Sequence, residues 1–445
     1  MRTIPSSPAS QGLLDLLDQL VDDHVGLIHA VKESPRDAGE PAYFHYYAKA
    51  SNTGAFCRQS NFCNTGGASA IREIALCKAL GEALERYCSA VYDQEELPLT
   101  SFDKATFPCV SPDNFALYTE EQYAQEAFPL VPFTRETLLR WTPAEALSSR
   151  DISYVPASMV YAPYHADHGS GEESITQCIS TGLACHLTHA QATIAAICEV
   201  IERDAFTITW QAGLIRPQLR LETLSESNRD LVNRFERIGS DLKLIDLTMD
   251  HGIPTILSVL RSGKADAPAL VFAASADINP EQAVRKSLEE LAHTRRLAKI
   301  LKAEQPLFPT RQPYDNVDYQ DAHAHMYCDS AHAHLAAFIF SSDAYVDFQQ
   351  LPNFATGTPE EQVAYLAERI SAIGHRVFVA DLTTADVREL GISVVRAVIP
   401  GFHPLFMEHH LRALGGTRMW EVPRRLGFLG MSKGSGGNQA PHPFP

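Results

Sequence analysis

The pattern of hydrophobic and polar positions along the chain is dominated by long stretches in which apolar residues recur at helical spacing. They consist mostly of good helix formers and carry no internal proline, so they predict long α-helices. A shorter leucine pattern, from Leu13 to Leu20, predicts another helix within residues 1–40. The predicted long helices span about 69–91, 190–210 and 280–302.

Shorter apolar runs, most of them in the second half of the chain, predict β-strands. Residues 41–67 are rich in Ser, Asn, Cys and Gly and end in Asn64-Thr65-Gly66-Gly67, which predicts a loop, and scattered prolines predict an irregular connection over 96–150. The mixture predicts an α/β (α+β) fold with mixed sheets and long carboxylate-bearing helices. The predicted strands are 153–161, 242–248, 255–261, 269–274, 377–382 and 393–399.

The domain organisation that these patterns suggest has three parts. Residues 1–60 form a helical or irregular N-terminal region, 61–431 form the main domain, and the Gly-rich residues 432–445 form a flexible tail. A strand followed by Asp-Leu-Thr, a turn, Gly-Ile and a second strand occurs twice, at 244–253 and at 379–392. The similarity suggests two related α/β units, although so short a match also arises by chance.

Composition limits the classes of function. The chain has 445 residues, 45% of them hydrophobic, and a formal net charge of -17, which argues against nucleic acid as the main partner. A polyphosphate ligand would need local cations, a metal or backbone N–H groups. The nine cysteines include no C-x-x-C pair, which argues against a thiolate zinc site and a disulfide framework. No signal-peptide core and no membrane-length apolar run is present, so the cytoplasm is the expected location.

The strongest chemical signal is Lys78-x-x-x-Glu82-x-x-Glu85-Arg86 in the first long helix. Spacings of four and three residues bring Lys78, Glu82 and Glu85 to one face of that helix. The surrounding residues are mostly apolar, and acids in such surroundings need a cationic partner.

The same E-x-x-E-R pattern recurs in the second long helix as Glu199, Glu202 and Arg203, with Gln191 two turns earlier on the same face. Two helices that each present two glutamates suit Mg²⁺, which takes hard oxygen ligands and shares them with nucleotide phosphates. The arginines would contact phosphate oxygens or orient the acids. The alternative is a pair of amphipathic helices with ordinary ion pairs. In the third long helix Glu290 and His293 belong to a charged segment. Taken alone, this segment predicts only a charged helix face.

Taken together, these segments resemble the YcaO family over roughly residues 60–445. The resemblance rests on Gly66-Gly67-Ala68-Ser69 leading into Lys78 to Tyr87, and on Ser180-Thr181-Gly182-Leu183-Ala184 leading into Glu199 to Ala205. It implies an ATP-binding fold in which the side chains at the positions that match the family motif bind Mg²⁺ and the nucleotide. The implied metal ligands are Glu82, Glu85, Glu199 and Glu202, and the implied nucleotide contacts add Lys78, Arg86, Gln191, Arg203, Glu290 and His293.

Several of these positions depart from the family pattern. Lys78 stands where the family often has Ser, Leu187 and Gln191 stand where Asn and Glu are expected, and His293 replaces a glutamine. These departures affect individual ATP contacts and leave the four glutamates intact.

The C-terminal sequence resembles the end of one branch of the family, the azoline-forming cyclodehydratases. Its prolines, Pro441, Pro443 and Pro445, match the proline-rich end that in this branch reaches towards the active site, and the terminal carboxylate of Pro445 is expected to move protons. The expected function is therefore ATP-dependent cyclisation of Cys, Ser or Thr in a precursor peptide, in the manner of bacteriocin maturation. Formation of thioamides or amidines, and a non-catalytic ATP-binding subunit, are the alternatives.

The expected partners also follow from the resemblance. They are the precursor peptide, a separate protein that binds its leader and carries a ubiquitin-activating-like or winged-helix domain, and an azoline dehydrogenase in a complex. The separate leader-binding protein is expected because residues 1–60 are too short for such a domain. A homodimer is a further expectation, whereas nucleic acid and membrane are not expected partners.

Overall fold

The computed structural model describes residues 8–444 except 38, 310, 312, 430, 431 and 433–435, with side chains from residue 11 onward. The helices are α1 (Pro8–Asp15), α2 (Leu17–Leu20), α3 (Arg72–Cys88), α4 (Glu120–Tyr123), α5 (His189–Gln211), α6 (Glu226–Glu236), α7 (Pro280–Glu304), α8 (Gln320–Met326), α9 (Pro359–Ala372), α10 (Ala385–Glu389) and α11 (Arg418–Arg425). The strands are β1 (Ile28–Ser34), β2 (Phe44–Ala50), β3 (Asn64–Ser69), β4 (Leu99–Thr100), β5 (Leu139–Ala146), β6 (Ile152–Pro156), β7 (Leu183–His186), β8 (Gln218–Leu219), β9 (Asp241–Asp246), β10 (Thr255–Arg261), β11 (Leu270–Ala276), β12 (Tyr345–Val346), β13 (Phe378–Asp381) and β14 (Ser393–Val398).

The three predicted long helices are confirmed as α3, α5 and α7, and the six predicted strands as β6, β9, β10, β11, β13 and β14. The start of α7 shows why its boundary could be predicted. Asn279 caps the helix by accepting a hydrogen bond from the Glu281 N–H, and Pro280 occupies the first turn, where its missing N–H costs nothing. Strand β6 is shorter than predicted because Ala157–Met159 form a 3₁₀ turn.

The loop predicted over 41–67 is confirmed for 51–63, which contain only a 3₁₀ turn, and is wrong on either side, where β2 and β3 lie. The description of residues 1–60 as helical or irregular is wrong for β1 and β2. Strands β1, β2 and β3 form an antiparallel three-stranded sheet, in which β2 pairs with both neighbours. The glycines that indicated a loop allow β3 to lie directly against α3. A Cβ on Gly67 would lie 2.5 Å from the Ala75 carbonyl oxygen and 2.7 Å from the Ala79 nitrogen. Thr65 donates its hydroxyl hydrogen to the Ala79 carbonyl at 3.1 Å, which fixes the contact.

The described residues form two compact units, and the predicted boundaries at 60 and 431 do not coincide with theirs. Unit 1 contains the described parts of Met1–Arg36, Phe44–Val200 and Gly357–Pro400. Unit 2 contains the described parts of Asp37–Tyr43, Ile201–Thr356 and Gly401–Pro445. Helix α5 runs from the first set of residues into the second.

Unit 1 is built on two sheets and helix α3. Beside the β1-β2-β3 sheet it holds a six-stranded sheet of order β4-β5-β13-β14-β7, with β6 paired to β5. Helix α3 packs on β2, β3 and β7. Its apolar face, including Leu80 and Leu84, is fully buried in a core shared with residues of β5, β13 and β14. The carboxylates of the first motif therefore belong to a helix whose orientation is fixed by the packing of its other face.

Unit 2 has one five-stranded sheet of order β11-β10-β9-β8-β12, antiparallel except for the β8–β12 pair. Helix α7 packs on β10 and β11. The core on this sheet contains the buried aromatic side chains of Phe206, Trp210, Phe272 and Tyr327. The predicted fold class, α/β (α+β) with long carboxylate-bearing helices, is confirmed. None of the described helices is both long and apolar enough to cross a membrane.

The two Asp-Leu-Thr segments build the same antiparallel hairpin, one in each unit. In both hairpins the aspartate accepts a hydrogen bond from the backbone N–H of the threonine, and the threonine hydroxyl accepts one from the opposite strand. A helix precedes each hairpin, α6 before β9 and α9 before β13. This supports the predicted repeat. The bonds are Thr248 N–H to Asp246 Oδ1 (2.9 Å), Thr255 N–H to Thr248 Oγ1 (3.2 Å), Thr383 N–H to Asp381 Oδ1 (2.9 Å) and Val394 N–H to Thr383 Oγ1 (2.9 Å).

The predicted flexible tail is wrong for residues 440–444, which are part of the core of unit 2. Ala440, His442 and Phe444 are all buried. Trp210 donates its indole N–H to the Ala440 carbonyl at 2.9 Å, and Tyr327 donates its hydroxyl hydrogen to the Pro441 carbonyl at 2.6 Å. Composition indicated flexibility, but the aromatic side chains of unit 2 supply donors and apolar surface that fix this segment.

Further contacts fix His442 and Phe444. The His442 imidazole stacks on that of His323 with 3.8 Å between ring centroids, and a His323 ring nitrogen lies 2.9 Å from the His442 carbonyl oxygen. The Phe444 ring packs on Phe206 at 4.6 Å and under the Arg203 guanidinium at 4.5 Å. The predictions for 433–435 and Pro445 lie outside the described residues.

Replacing Gly67 by Ala should destabilise the protein by about 1–3 kcal/mol, because the new methyl group overlaps the backbone of α3. Gly81 on the same helix is the matched control. Its added Cβ would meet only the Cys185 Cβ, at 4.0 Å, so Gly81→Ala should be neutral or stabilise by about 1 kcal/mol. Urea unfolding of the two variants measures the difference, and equal stabilities would contradict the close β3–α3 contact.

Replacing Phe444 by Ala should lower the free energy of unfolding by about 3 kcal/mol, since it empties a buried aromatic site. Leu429→Ala is the control in the same C-terminal region, because that side chain is fully exposed. Thermal and urea unfolding check the expectation. A Phe444→Ala variant as stable as Leu429→Ala would show that residues 440–444 contribute nothing to the core.

Candidate active site

Two glutamates of α3 are held by backbone N–H groups of the neighbouring strands β3 and β7. Gly66 donates its N–H to Glu82 Oε2 at 3.0 Å, and Cys185 donates its N–H to Glu85 Oε1 at 2.8 Å. The Arg86 guanidinium contacts the other oxygen of Glu82 at 3.1 Å. Because one oxygen of each acid is fixed by the backbone, both carboxylates have defined orientations. Hydrogen bonds of this kind also favour the ionised form of the acid.

Glu199 on α5 is held in the same way by Gly182. The Gly182 N–H lies 3.2 Å from Glu199 Oε2. Gly182 has a φ of +86°, and a Cβ there would lie 2.5 Å from the Ala397 carbonyl oxygen and 2.9 Å from Val200 Cγ2. Only glycine fits this left-handed and crowded position, so the glycine of the Ser180–Ala184 segment is required by the carboxylate that it orients.

Glu82 and Glu199 lie close enough to Glu85 to perturb its ionisation. The pKa of Glu85 is raised well above its ordinary value, first by burial and then by the negative charges of Glu199 and Glu82. Arg86 and the Cys185 N–H oppose this shift and do not cancel it. Such a group has an excess of negative charge. A hard divalent cation matches it, since Mg²⁺ takes carboxylate oxygens and lets neighbouring acids ionise together.

Arg396 is a cation near this group that the sequence analysis did not select. It lies on β14 and is only 4% exposed. Burial lowers the pKa of its guanidinium to about 10, and the neighbouring Glu199 opposes that shift. The signal that could have identified it is simple. Residues 394–398 are buried and apolar except for Arg396, and a single arginine in such a stretch needs a specific reason.

The second motif continues into unit 2. Glu202 follows Glu199 by about one turn of α5, is buried, and lies 3.3 Å from the Arg203 Nε. The Arg203 guanidinium stacks on the Phe444 ring. Thus, within unit 2, the buried C-terminal segment packs against an arginine of the E-x-x-E-R motif.

Asp204, the next residue, has a structural role. The Arg418 guanidinium lies 2.7 Å from Asp204 Oδ2 and 2.9 Å from Asp250 Oδ1, and all three side chains are nearly inaccessible to solvent. Asp204 Oδ1 also accepts the His403 N–H at 2.8 Å. Breaking such a network would leave a buried charge without compensation. The network fixes the second half of α5.

The other predicted nucleotide contacts have varied surroundings. Lys78 is half-buried one turn before Glu82 on α3. Gln191 lies in the first turn of α5, where its side-chain oxygen accepts the Thr188 hydroxyl at 3.0 Å. In unit 2 Glu290 is exposed on α7, with His293 Nδ1 at 3.8 Å. Their contacts with nucleotide stay predictions, as does the catalytic role of Pro441, Pro443 and Pro445.

Comparison with known proteins places these observations in a family. A family model described as YcaO cyclodehydratase, ATP- and Mg²⁺-binding, matches residues 66–403. An uncharacterized protein of Methanothermobacter thermautotrophicus is 25% identical over 346 residues, which cover 75% of this chain and 80% of that protein. An uncharacterized protein in the tfuA 3′ region of Rhizobium leguminosarum bv. trifolii is 24% identical over 349 residues, or 74% of each chain.

Solved structures share the fold at low sequence identity. A heterocyclase in complex with substrate and cofactor has a TM-score of 0.79 and 20% identity over 98% of this chain, which spans only 57% of that longer chain. YcaO from Methanopyrus kandleri, bound with AMPPCP and Mg²⁺, has a TM-score of 0.62 and 19% identity over 88% of this chain and 90% of its own. A chain of the E. coli microcin synthetase McbBCD complex with pro-MccB17 bound has a TM-score of 0.61 and 15% identity. The match covers 93% of this chain and 96% of that one.

The raised pKa of Glu85 predicts a specific pH dependence of stability. A carboxyl group whose pKa is higher in the folded protein than in the unfolded chain contributes stability at low pH and loses it as the pH rises through the raised value. Metal-free wild type should therefore lose stability relative to Glu85→Gln, which cannot ionise, as the pH rises above the ordinary range of a glutamate carboxyl. Mg²⁺ should stabilise wild type at pH 8 and should stabilise Glu85→Gln much less.

Urea unfolding in EDTA and in Mg²⁺, across this pH range, measures both effects. Glu73→Gln is the matched control, because Glu73 is exposed in the first turn of the same helix and should not change either response. Parallel pH profiles for wild type and Glu85→Gln would contradict the electrostatic coupling of the three carboxylates.

Proposed function

Since the chain belongs to the YcaO cyclodehydratase family, which binds ATP and Mg²⁺, we propose that it uses ATP to convert Cys, Ser or Thr residues of a ribosomally made precursor peptide into azoline rings. The observation that carries the proposal is the group of Glu82, Glu85 and Glu199 in unit 1, each oriented by a backbone N–H. Such a group suits a metal-bound polyphosphate.

In this proposal Glu82, Glu85 and Glu199 are metal ligands, and the family resemblance adds Glu202 from the next turn of α5. Magnesium supplies neutralisation of phosphate charge when it is bound. The chain contributes fixed carboxylate oxygens, since the Gly66, Cys185 and Gly182 N–H groups prevent the acids from turning away. The orientation is set before binding, so less entropy is lost when the metal and nucleotide bind.

Arg86 and Arg203 are proposed to orient the acids and to neutralise phosphate charge. Arg86 already contacts Glu82, and Arg203 contacts Glu202. Guanidinium groups suit this role because their planar donors match carboxylate and phosphate oxygens. Lys78, Gln191, Glu290 and His293 are proposed as further nucleotide contacts, on the family resemblance alone.

The proposed reaction begins when a Cys, Ser or Thr side chain of the peptide loses its proton and attacks the preceding backbone carbonyl carbon. The product is a tetrahedral hemiorthoamide with a negatively charged oxygen. This oxygen attacks the γ-phosphorus of ATP, and the bond to the ADP oxygen breaks. The nitrogen then loses its proton, a C=N bond forms, and the C–O bond breaks with release of phosphate. Phosphate is a far better leaving group than hydroxide, which is why ATP is needed.

The chain's contribution to these steps is positioning and electrostatic stabilisation, as in other phosphoryl transfers. The terminal carboxylate of Pro445 is proposed to carry protons between the side chain, the nitrogen and solvent. The packing of Phe444 under Arg203 supports this proposal, because it holds the residue before Pro445 next to the second motif within unit 2.

The substrate and partners belong to the same proposal. We propose that a separate protein binds the leader of the precursor peptide, and that an azoline dehydrogenase joins the complex, as in bacteriocin maturation. The structural likeness to a chain of the microcin synthetase McbBCD complex supports this assignment. Mass spectrometry of a precursor peptide co-expressed with this chain, with and without the partner, would detect the loss of one water for each ring.

Replacing Glu82 or Glu199 by Gln should lower ATP turnover and azoline formation at least about 100-fold, because a charged ligand is lost from the metal site. The fold should persist, since the amide keeps the size of the side chain. Glu304→Gln, at the exposed end of α7, is the control and should retain activity. ADP release with peptide present and mass spectrometry of the peptide measure both functions.

The outcomes separate the possible roles. Folded Glu82→Gln or Glu199→Gln protein with wild-type turnover would rule out the metal-ligand assignment. Wild-type protein that binds ATP but neither releases ADP nor modifies peptide in the presence of its partner would favour the non-catalytic alternative. A peptide whose mass changes only by the replacement of an oxygen with a sulfur would indicate thioamide formation.

A further inference from the structure

The loop between β2 and β3, residues 51–63, exposes two phenylalanine side chains. Phe56 is 60% exposed and Phe62 is 55% exposed, whereas large aromatic side chains are usually buried. One exposed apolar residue is ordinary, but two on the same short loop form a surface that suits a ligand. The loop also precedes residue 66, where the match to the family model begins. The family pattern therefore does not account for it.

Buried polar contacts hold this loop in one conformation. Thr53, which is fully buried, donates its hydroxyl hydrogen to the Gln59 carbonyl at 2.7 Å and its N–H to Asn61 Oδ1 at 3.2 Å. Asn61 in turn donates its N–H to the Thr53 hydroxyl at 2.9 Å and its side-chain amide to the Ser51 carbonyl at 3.1 Å. Because these bonds cross the loop, a fixed backbone presents the two phenylalanines, and little entropy is lost when a ligand covers them.

The loop leads directly to the carboxylates of unit 1. In β3, Gly67 packs on residues 75–79 in the first half of α3, whereas the preceding Gly66 donates its N–H to Glu82 in the second half. Strand and helix therefore run in opposite directions. The loop before β3 consequently lies beyond Glu82, towards the C-terminal end of α3, where Glu85 and Arg86 follow. A peptide that reacts beside these acids must cross surfaces next to them, and the loop is such a surface.

Both phenylalanines lie within a few peptide residues of the carboxylates. The Phe56 ring packs on that of Tyr87, with 6.2 Å between the centroids, and Tyr87 follows Arg86 in α3. Phe62 is four residues before Gly66. Its backbone therefore lies within about 13 Å of that glycine, the length of about four extended residues. A peptide side chain that contacts either ring would be about three to five residues from the residue that is cyclised.

The charges on and beside the loop are positive, although the chain has a formal net charge of -17. The loop contains no acidic residue, and its one charged residue, Arg58, is exposed between the two phenylalanines. On the neighbouring strands Lys49 and Lys32 are exposed and point away from the core, because the alternate residues Ala48 and Val31 pack into it. A carboxylate of the ligand would complement these cations.

We propose that the β2–β3 loop is a binding subsite for the precursor peptide. Phe56 and Phe62 contact an apolar side chain about three to five residues from the cyclised residue, and Arg58 pairs with an acidic side chain beside it. The inference rests on the proposed function, because it takes the ligand to be a peptide that reacts at the carboxylates. It goes beyond that function by naming the residues that select the sequence around the reacting residue.

Two loop variants and two synthetic peptides test the proposal. Phe56→Ala and Phe62→Ala remove exposed rings, so both variants should fold. Leu307→Ala is the matched control, because that side chain is 71% exposed and belongs to unit 2. The first peptide has one cysteine, with a leucine and a glutamate about four residues from it on each side and serines elsewhere. In the second peptide serine replaces the leucines. Fluorescence anisotropy of labelled peptide measures binding to the full chain without ATP.

Wild type and Leu307→Ala should bind the leucine peptide about 10 times more tightly than the serine peptide, as expected for a partly covered apolar contact. Phe56→Ala and Phe62→Ala should lose most of this preference. Their thermal shift with Mg²⁺ and tripolyphosphate should equal that of wild type. Where the leucine peptide is cyclised, these variants should raise its KM and leave kcat at saturating peptide unchanged, because binding contacts remote from the reacting atoms are lost.

An unchanged preference for the leucine peptide in both phenylalanine variants would overturn the proposal, and so would a wild-type protein without any preference. Loss of self-association or of binding to the leader-binding partner, with unchanged peptide affinity, would also overturn it, because the loop would then contact a protein. If one phenylalanine variant does not fold, the other decides. A wild-type protein that prefers the leucine peptide but cyclises no peptide would leave the subsite intact and remove the proposed function instead.

Discussion

Repulsion among the clustered carboxylates is the constraint on which much of unit 1 depends. Glu82, Glu85 and Glu199 come from two helices, and the charges of Glu199 and Glu82 lie close enough to raise the pKa of Glu85. Holding them together without a cation costs free energy. The protein meets that cost with packing, since the opposite face of α3 is fully buried, and with one backbone N–H for each acid. The acids are thus kept ready for a metal at some expense in stability.

The glycines near the carboxylates follow from the same constraint. An acid can be fixed by a backbone N–H only if the backbone comes very near its helix, and side chains prevent such an approach. Gly67 lets β3 lie on α3, which brings the neighbouring Gly66 N–H to Glu82. Gly182 adopts a left-handed conformation in a space without room for a Cβ. These positions are therefore part of the candidate site even though glycine has no side chain to contribute.

Much of the fold and of the site could be predicted because the signals are local. The periodicity of α3, α5 and α7 needs no tertiary information, and the repeated E-x-x-E-R pattern marks the acids directly. The errors have a common cause. The composition around Gly66 and Gly67 predicts a loop, whereas both residues lie in β3, and the packing of α3 on that strand leaves no room for a Cβ at Gly67. The composition of the C-terminal segment predicts flexibility, whereas Trp210 and Tyr327, distant in sequence, fix it. Arg396 carries no local motif, and only its burial makes it notable.

The discontinuity of both units has a consequence for folding during synthesis. The core of unit 1 joins α3 to β13 and β14, and the core of unit 2 joins α5 to residues 440–444. Neither core can close while the ribosome is still translating the middle of the chain, so the usual order in which an N-terminal domain folds first is not available. Apolar faces of α3 and α5 stay exposed until late segments emerge. All the strands of unit 1 have been made once residue 400 is translated, whereas the core of unit 2 still lacks residues 440–444.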